Sequence, residues 1–250
     1  MQKAPCYVIA GLGNYNYPLT RHRCVQIFIY MPESSYAPCS VGQLVLSGLS
    51  QKFGFPLKED KYVQDWVGKG SVSLPIGRDD PEGTPTRAKI VLLKSLMSQL
   101  CKLLSVAWCQ HDHIGLLMNQ SGGSVKKAMT KYTGRHLNHS QLIVLYDSIR
   151  HPVMNCSVKY QGFAKGHSGV RSCINYMGSM DNFMRMGLNI GKSESRNTAE
   201  YLLEQLPPDE ESFWKGEGTE VVWDIILRRI LELQSQMKDN NPLGKSEDRG

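Results

Sequence analysis

The sequence lacks a paired set of cysteines. It has seven, an odd number with no framework of spacings, which argues against a fold held by disulfides. It also lacks a basic-then-apolar opening segment of the kind that directs secretion, so a reducing compartment, cytoplasmic or mitochondrial, is expected. No apolar run reaches the roughly 18 residues of a membrane span; Cys24–Met31 is apolar but too short. Internal repeats are absent. What is there is a chain of 250 residues, 41% hydrophobic, enough to bury the core of one sizeable domain or two small ones. Its 29 Lys and Arg against 23 Asp and Glu leave a net charge of +6, which suits a polyanionic partner without requiring one.

The pattern of apolar residues alternates strands with helices. Cys6–Gly11 reads as a buried strand ending in glycine, and Lys61–Val67 and Lys89–Leu93 read as further strands. Ser40–Phe53 carries Val41, Leu44, Val45, Leu49 and Phe53 at helical spacing, with Gly54 placed to cap it. Between the later strands, 77–86 is rich in Gly, Pro and Asp and predicts a loop. Ser95–Trp108 and Ser121–Tyr132 predict helices. Leu142–Tyr146 predicts a buried strand running into Asp147, with Val158–Tyr160 and Met184–Ile190 as further strands. Gly169–Met177 predicts a short helix and Val221–Leu233 a longer amphipathic one, followed after Met237 by a polar tail expected to be disordered (238–250). This order predicts an α/β fold: a single domain over 1–237, with a twisted mixed β-sheet flanked by helices on both faces.

Four motifs bear chemistry, each with a plain structural alternative. Gly11-Leu-Gly-Asn14, followed by Thr20-Arg-His22, permits a tight turn at the end of a buried strand. It lacks the third glycine and acidic partner of a dinucleotide site, and alone it reads first as an ordinary strand-to-loop turn. In Met118-Asn-Gln-Ser-Gly122 the asparagine is a helix cap or a polar probe for a carbonyl or a water. Asp147 stands at the carboxyl end of a buried strand, where α/β sheets place ligands. It is a capping residue or the carboxylate that orients a histidine. Finally, Tyr160–Ser172 leads small residues into a helix beside Lys165 and Arg171, which makes either a phosphate site or a loop with solvated cations.

The order of these motifs resembles the bacterial-type peptidyl-tRNA hydrolase family, and the chain reads as a eukaryotic member with two insertions. The resemblance continues through Phe183–Gly191, similar to a strand that reads R-I-G-I-G in the family, and through Tyr201–Glu210. It implies an enzyme that cleaves the ester between peptide and tRNA without metal or cofactor, with peptidyl-tRNA as its partner; the lack of an apolar span leaves no membrane partner expected, and monomer is the default for an oligomeric state the sequence does not specify. It further implies His22 as general base, with Asp147 accepting its second ring N–H, and Asn14 and Asn119 placing the substrate carbonyl and water. Tyr17, Met118 and Ser168 would line the substrate groove. Lys159, Arg171, Lys165 and Arg185 would meet phosphates.

The chain departs from the family in several places. Where relatives read GLGNPG it has Gly11-Leu-Gly-Asn-Tyr-Asn16, and where they read GHNG it has Gly166-His-Ser-Gly169, so a shorter hydroxyl replaces an amide. Gly187 stands where the family has a second arginine. Two insertions, Arg23–Cys39 and Ser95–Gly115, match nothing in the family pattern; an origin in alternative splicing or retained non-coding sequence is expected, and finding both within constitutive exons would contradict it. Cys101, Cys109, His111 and His113 in the second are zinc-ligand types with no closed-site spacing, and read as buried cysteines and surface histidines. Two rivals follow. One is a catalytically impaired homologue that still binds tRNA. The other is an interaction module using the apolar stretch Ile27–Met31.

Overall fold

The structure is a computed structural model, and it describes residues 4–13, 40–75, 86–95, 121–134, 137–192, 201 and 206–239. The insert Arg23–Cys39, the helix expected over Ser95–Trp108 beyond Ser95 itself, the loop at 77–85, Ile27–Met31 and the four zinc-ligand types lie outside those residues.

Cys6–Gly11 forms β1, a strand with no polar side chain facing water, and it lies at the centre of the sheet. β4 (Arg87–Lys94) and β5 (Leu142–Ser148) flank it, both parallel to it. β7 (Met184–Asn189) continues the parallel set beside β5. Antiparallel strands close both edges: β2 (Lys58–Asp60) and β3 (Asp65–Ser73) on one side, β6 (Asn155–Lys159) on the other. The full order is β2-β3-β4-β1-β5-β7-β6, a mixed seven-stranded sheet.

Helices cover both faces. α1 (Val41–Phe53) starts where the Ser40 hydroxyl accepts from the Gln43 amide at 3.3 Å and ends at Gly54, left-handed at φ 65°. It shares its face with α4 (Pro208–Lys215) and α5 (Glu217–Asp239), and Leu46, Leu49, Trp214, Val222, Ile226 and Ile230 fill the space beneath. The opposite face carries α2 (Ser121–Thr133) and α3 (Ser168–Tyr176), which bury Val125, Met129, Val170 and Cys173 against the sheet. Each fully buried large apolar side chain of this kind contributes about 1.5–3 kcal/mol.

The α/β reading and the mixed sheet with helices on both faces stand as expected. One strand does so only at its end, where Asp65–Val67 opens β3. Lys61–Val67 is a turn over Lys61–Gln64 that joins β2 to β3, because the Asp60 carboxylate accepts from the amides of Tyr62 (3.0 Å) and Val63 (3.1 Å) and so bends the chain. Gln64 completes the turn at φ 65°. Among the described residues no helix is long and apolar enough to cross a membrane.

Candidate active site

Because β1, β4, β5 and β7 run parallel, their carboxyl ends share one edge of the sheet. Asp147 lies there near the end of β5, 6% exposed, and its Oδ1 accepts from the Gly42 amide at 3.3 Å. Gly42 is in the first turn of α1, whose unpaired amides and partial positive charge suit a carboxylate. The contact depends on two glycines. A Cβ on Gly42 would stand 3.0 Å from the Leu145 carbonyl oxygen and 3.1 Å from that of Leu12, and a Cβ on Gly11 would stand 2.7 Å from the Gly42 oxygen. Only bare backbone lets α1 begin directly on the ends of β1 and β5.

Two of the segments outside the described residues, 14–39 and 96–120, leave from this edge. The chain departs after Gly13 and returns at Ser40, whose hydroxyl donates to the Leu12 carbonyl at 2.8 Å. It departs again after Ser95, whose amide donates to Gly11 O (3.2 Å) and whose carbonyl accepts from Gln43 Nε2 (2.8 Å). It returns at α2, where the Gly122 amide donates to Ser172 Oγ on α3 at 3.0 Å. His22, Asn14, Tyr17, Met118 and Asn119 belong to these segments and lie outside the described residues. Their anchor points, Gly13 and Ser121, are at the same edge as Asp147.

The start of α3 completes the edge. His167 caps it, its Nδ1 accepting from the Val170 amide at 3.2 Å, so in the neutral ring the proton is on Nε2. The ring stands edge-on to Tyr146 with centroids 5.0 Å apart. Ser168, half-buried, follows directly, and a Cβ on Gly169 would lie 3.1 Å from Leu12 Cδ1, which ties this helix start to the end of β1. Gly187 acquires a reason here. A Cβ on it would lie 3.2 Å from the Tyr146 hydroxyl and 2.7 Å from Ser157 Oγ, so the absent side chain leaves room for the tyrosine. Burial raises the Tyr146 phenol above its usual range, and the charges of Arg185 and Arg150 partly offset this.

A second group of residues gathers beside it. β6 pairs Lys159 with Arg185 of β7; the loop after β6 brings Lys165 to them, and the connection from β5 to β6 brings Arg150. Arg185 is 1% exposed, with Nη1 donating to the Gly162 carbonyl at 2.5 Å and Nη2 to that of Asp181 at 3.5 Å. Arg150 Nη2 donates to the Lys165 carbonyl at 2.5 Å. Burial, and then the neighbouring charges of Lys165, Arg150 and Arg185, bring the Lys159 ammonium down to about 8. Arg171 is exposed on α3. The structure thus unites Lys159, Lys165 and Arg185, and places Asp147 at the neighbouring end of β5 and Ser168 at the start of α3.

A family model described as peptidyl-tRNA hydrolase matches residues 115–246, just over half of the chain. The chain belongs to the peptidyl-tRNA hydrolase family. The peptidyl-tRNA hydrolase of Thermodesulfovibrio yellowstonii is 26% identical over 224 residues, covering 88% of this chain and 90% of that protein. That of Aquifex aeolicus is 34% identical over 95 residues, covering 38% of this chain and 47% of the other. The crystal structure of the peptidyl-tRNA hydrolase of Acinetobacter baumannii shares the fold, with a TM-score of 0.58 at 21% identity over 96% of this chain and 94% of that one.

Within this family member, sequence reasoning passed over three residues that the fold brings to the site. Arg150 stands three positions beyond Asp147, and a cation so close to a ligand-bearing strand end was a usable signal. His167, within Gly166-His-Ser-Gly169, caps α3, and its place directly before a helix start was the signal for it. Tyr146 was counted only as an apolar strand residue. Among the described residues no three His, Cys, Asp or Glu side chains gather as metal ligands.

Proposed function

We propose that this chain hydrolyses the ester joining a peptide to the 3′ ribose of tRNA, with a water activated by His22 and Asp147 at the carboxyl edge of the sheet. The observation that carries the proposal is the Asp147 carboxylate, buried at a parallel strand end against the first turn of α1, at the edge from which the segment bearing Asn14 and His22 departs after Gly13. In this reading Asp147 accepts one ring N–H of His22, fixes its tautomer and stabilises the imidazolium. An aminoacyl ester is already activated, so a positioned base and water suffice, and no metal or cofactor is called for. Asn14 and Asn119 hold the carbonyl and the water, while Tyr17, Met118 and Ser168 line the groove. Lys159, Lys165 and Arg171 take phosphates, and Arg185 adds its charge from beneath the loop. Peptidyl-tRNA is the partner, and the protein acts as a monomer.

Ser168 favours a second reading, in which the chain binds tRNA and has lost turnover: a hydroxyl offers fewer hydrogen bonds than the amide of the family pattern. The two readings separate in one experiment, the release of labelled peptide from peptidyl-tRNA by this chain and by His22→Ala. Release that vanishes in the variant supports hydrolysis. A folded chain that binds tRNA and releases nothing supports the second reading.

A further inference from the structure

The loop between β6 and α3 holds a phenyl ring out in water. Phe163 is 91% exposed, and the next most exposed large apolar side chain among the described residues, Tyr62, is 55% exposed. A ring in that position forfeits the stabilisation of burial. The loop that carries it is nevertheless well anchored. The Gly162 amide donates to Asp181 Oδ2 at 2.6 Å and its carbonyl accepts from Arg185. On the other side Ala164 packs against the core between sheet and α3, its carbonyl accepts from the His167 amide at 3.1 Å, and the Lys165 carbonyl accepts from Arg150. With both neighbours tied down, Phe163 is displayed by a built loop.

The surroundings of the ring specify what fits it. Arg150, Lys159, Lys165 and Arg185 interact with one another around this loop, and Asp181 is the carboxylate hydrogen-bonded to it. An apolar protein surface laid over the ring would have to desolvate these cations without compensating them. A nucleotide offers a π-face and an anion together, the combination with which aromatic and basic side chains hold single-stranded ends. The second aromatic of the loop, Tyr160, is 44% exposed and already has Arg229 over its ring, the guanidinium carbon 4.7 Å from the centroid.

We infer that Phe163 is a stacking platform for a nucleobase at the end of the tRNA whose phosphates the Arg150, Lys159 and Lys165 cluster holds. The inference rests on the reading of this chain as acting on peptidyl-tRNA and adds a binding residue to it. Stacking is tolerant of base identity, so Phe163 contributes affinity for the nucleic-acid end and does not read its sequence.

The test compares the full chain with Phe163→Ala, Phe163→Leu and Phe163→Trp, since a fully exposed position leaves the fold intact. Two readouts are needed: affinity for uncharged tRNA at fixed salt, and kcat and KM for peptidyl-tRNA. Loss of one stacked base raises Kd and KM about tenfold in Phe163→Ala with kcat unchanged. Phe163→Leu behaves like the alanine variant, and Phe163→Trp restores wild-type values and has its fluorescence quenched by tRNA. The dependence of log Kd on log salt keeps its slope, because no cation is removed. Wild-type Kd and KM in Phe163→Ala, or full rescue by leucine, overturns the inference. If the wild-type chain releases no peptide but the tryptophan is still quenched, hydrolysis fails and stacking survives. If peptide is released normally and Phe163→Ala is silent, stacking alone fails.

Discussion

The carboxyl edge at Asp147 and the basic loop at 160–167 are neighbours built by opposite means. At the edge, backbone meets backbone. Gly11 and Gly42 let a helix start touch two strand ends, and one buried carboxylate is held by an amide at 3.3 Å. In the loop, long cations reach carbonyls, and Arg150, Lys165 and Phe163 stay exposed. On the proposed function, the difference follows from what each region does. General base chemistry fails when a group moves by about an ångström, so its support must be rigid and side-chain-free. Attraction of a polyanion falls off slowly with distance and tolerates mobile side chains. Perturbing the edge should therefore cost turnover, and perturbing the loop should cost affinity.

The largest expected effect is at the edge. Asp147→Asn keeps the shape of the side chain and removes its charge, so kcat should fall on the order of 10²–10⁴-fold while tRNA affinity holds. Stopped-time peptide release alongside a binding titration checks both halves. Gly42→Ala comes next. Its Cβ would press on the Leu145 and Leu12 carbonyls, costing about 1–3 kcal/mol in thermal unfolding, and displacement of the amide from Asp147 should lower kcat on the order of tenfold. Gly54→Ala sharpens this comparison. It meets nothing within 4 Å but is strained at φ 65°, so it should cost about 1 kcal/mol of stability and leave kcat alone.

The loop should respond differently. Lys159→Gln is expected to raise Kd for tRNA several-fold and to reduce the slope of log Kd against log salt by about one, with kcat unchanged. The pH dependence has a definite sign. The folded ammonium lies near 8, against 10.5 for an unperturbed lysine, so its charge is present below pH 8 and fades as pH rises through that value. Wild-type affinity should weaken across that range, and the glutamine variant should lack this step. For stability the sign is reversed. Between 8 and 10.5 the unfolded chain holds the proton more tightly, so this group makes the fold more stable as pH rises.

The smallest effect is expected at the outer strand β2, with three strands between it and β5. Burial tends to raise the Asp60 carboxyl, but hydrogen bonds from Lys131, Tyr132 and the Val63 amide outweigh it and hold it well below the carboxylate range. Its stabilisation is therefore present above the usual carboxylate range and lost as pH falls through the lowered value. Asp60→Asn should cost about 1 kcal/mol in a neutral-pH melt and leave kcat and KM at wild-type values. A change in kcat there would mean that the turn is coupled to the edge.

What could be read from the chain was local. Ser40 and Gly54 bound α1 because capping is decided within a few residues, and the apolar run Leu142–Leu145 announced β5 and with it the placement of Asp147. The Lys61–Gln64 turn escaped because its cause is one carboxylate, at Asp60, acting on two amides beyond it. α4 escaped for lack of a side-chain cap, beginning instead at a Pro-Pro step. The basic cluster was half legible. Lys159, Lys165 and Arg185 stood in recognisable motifs, but their meeting depends on β6 returning antiparallel to β7, and Arg150 joins only through a contact with a carbonyl fifteen residues away. The Gly11–Gly42 approach joins elements thirty-one positions apart, and no local pattern marks it.

The most direct measurement is the pair of values, rate of peptide release and Kd for tRNA, in Asp147→Asn and Lys159→Gln measured side by side. The account predicts that the first loses release and keeps affinity, while the second loses affinity and keeps kcat. An Asp147→Asn chain that still releases peptide at the wild-type rate would contradict it.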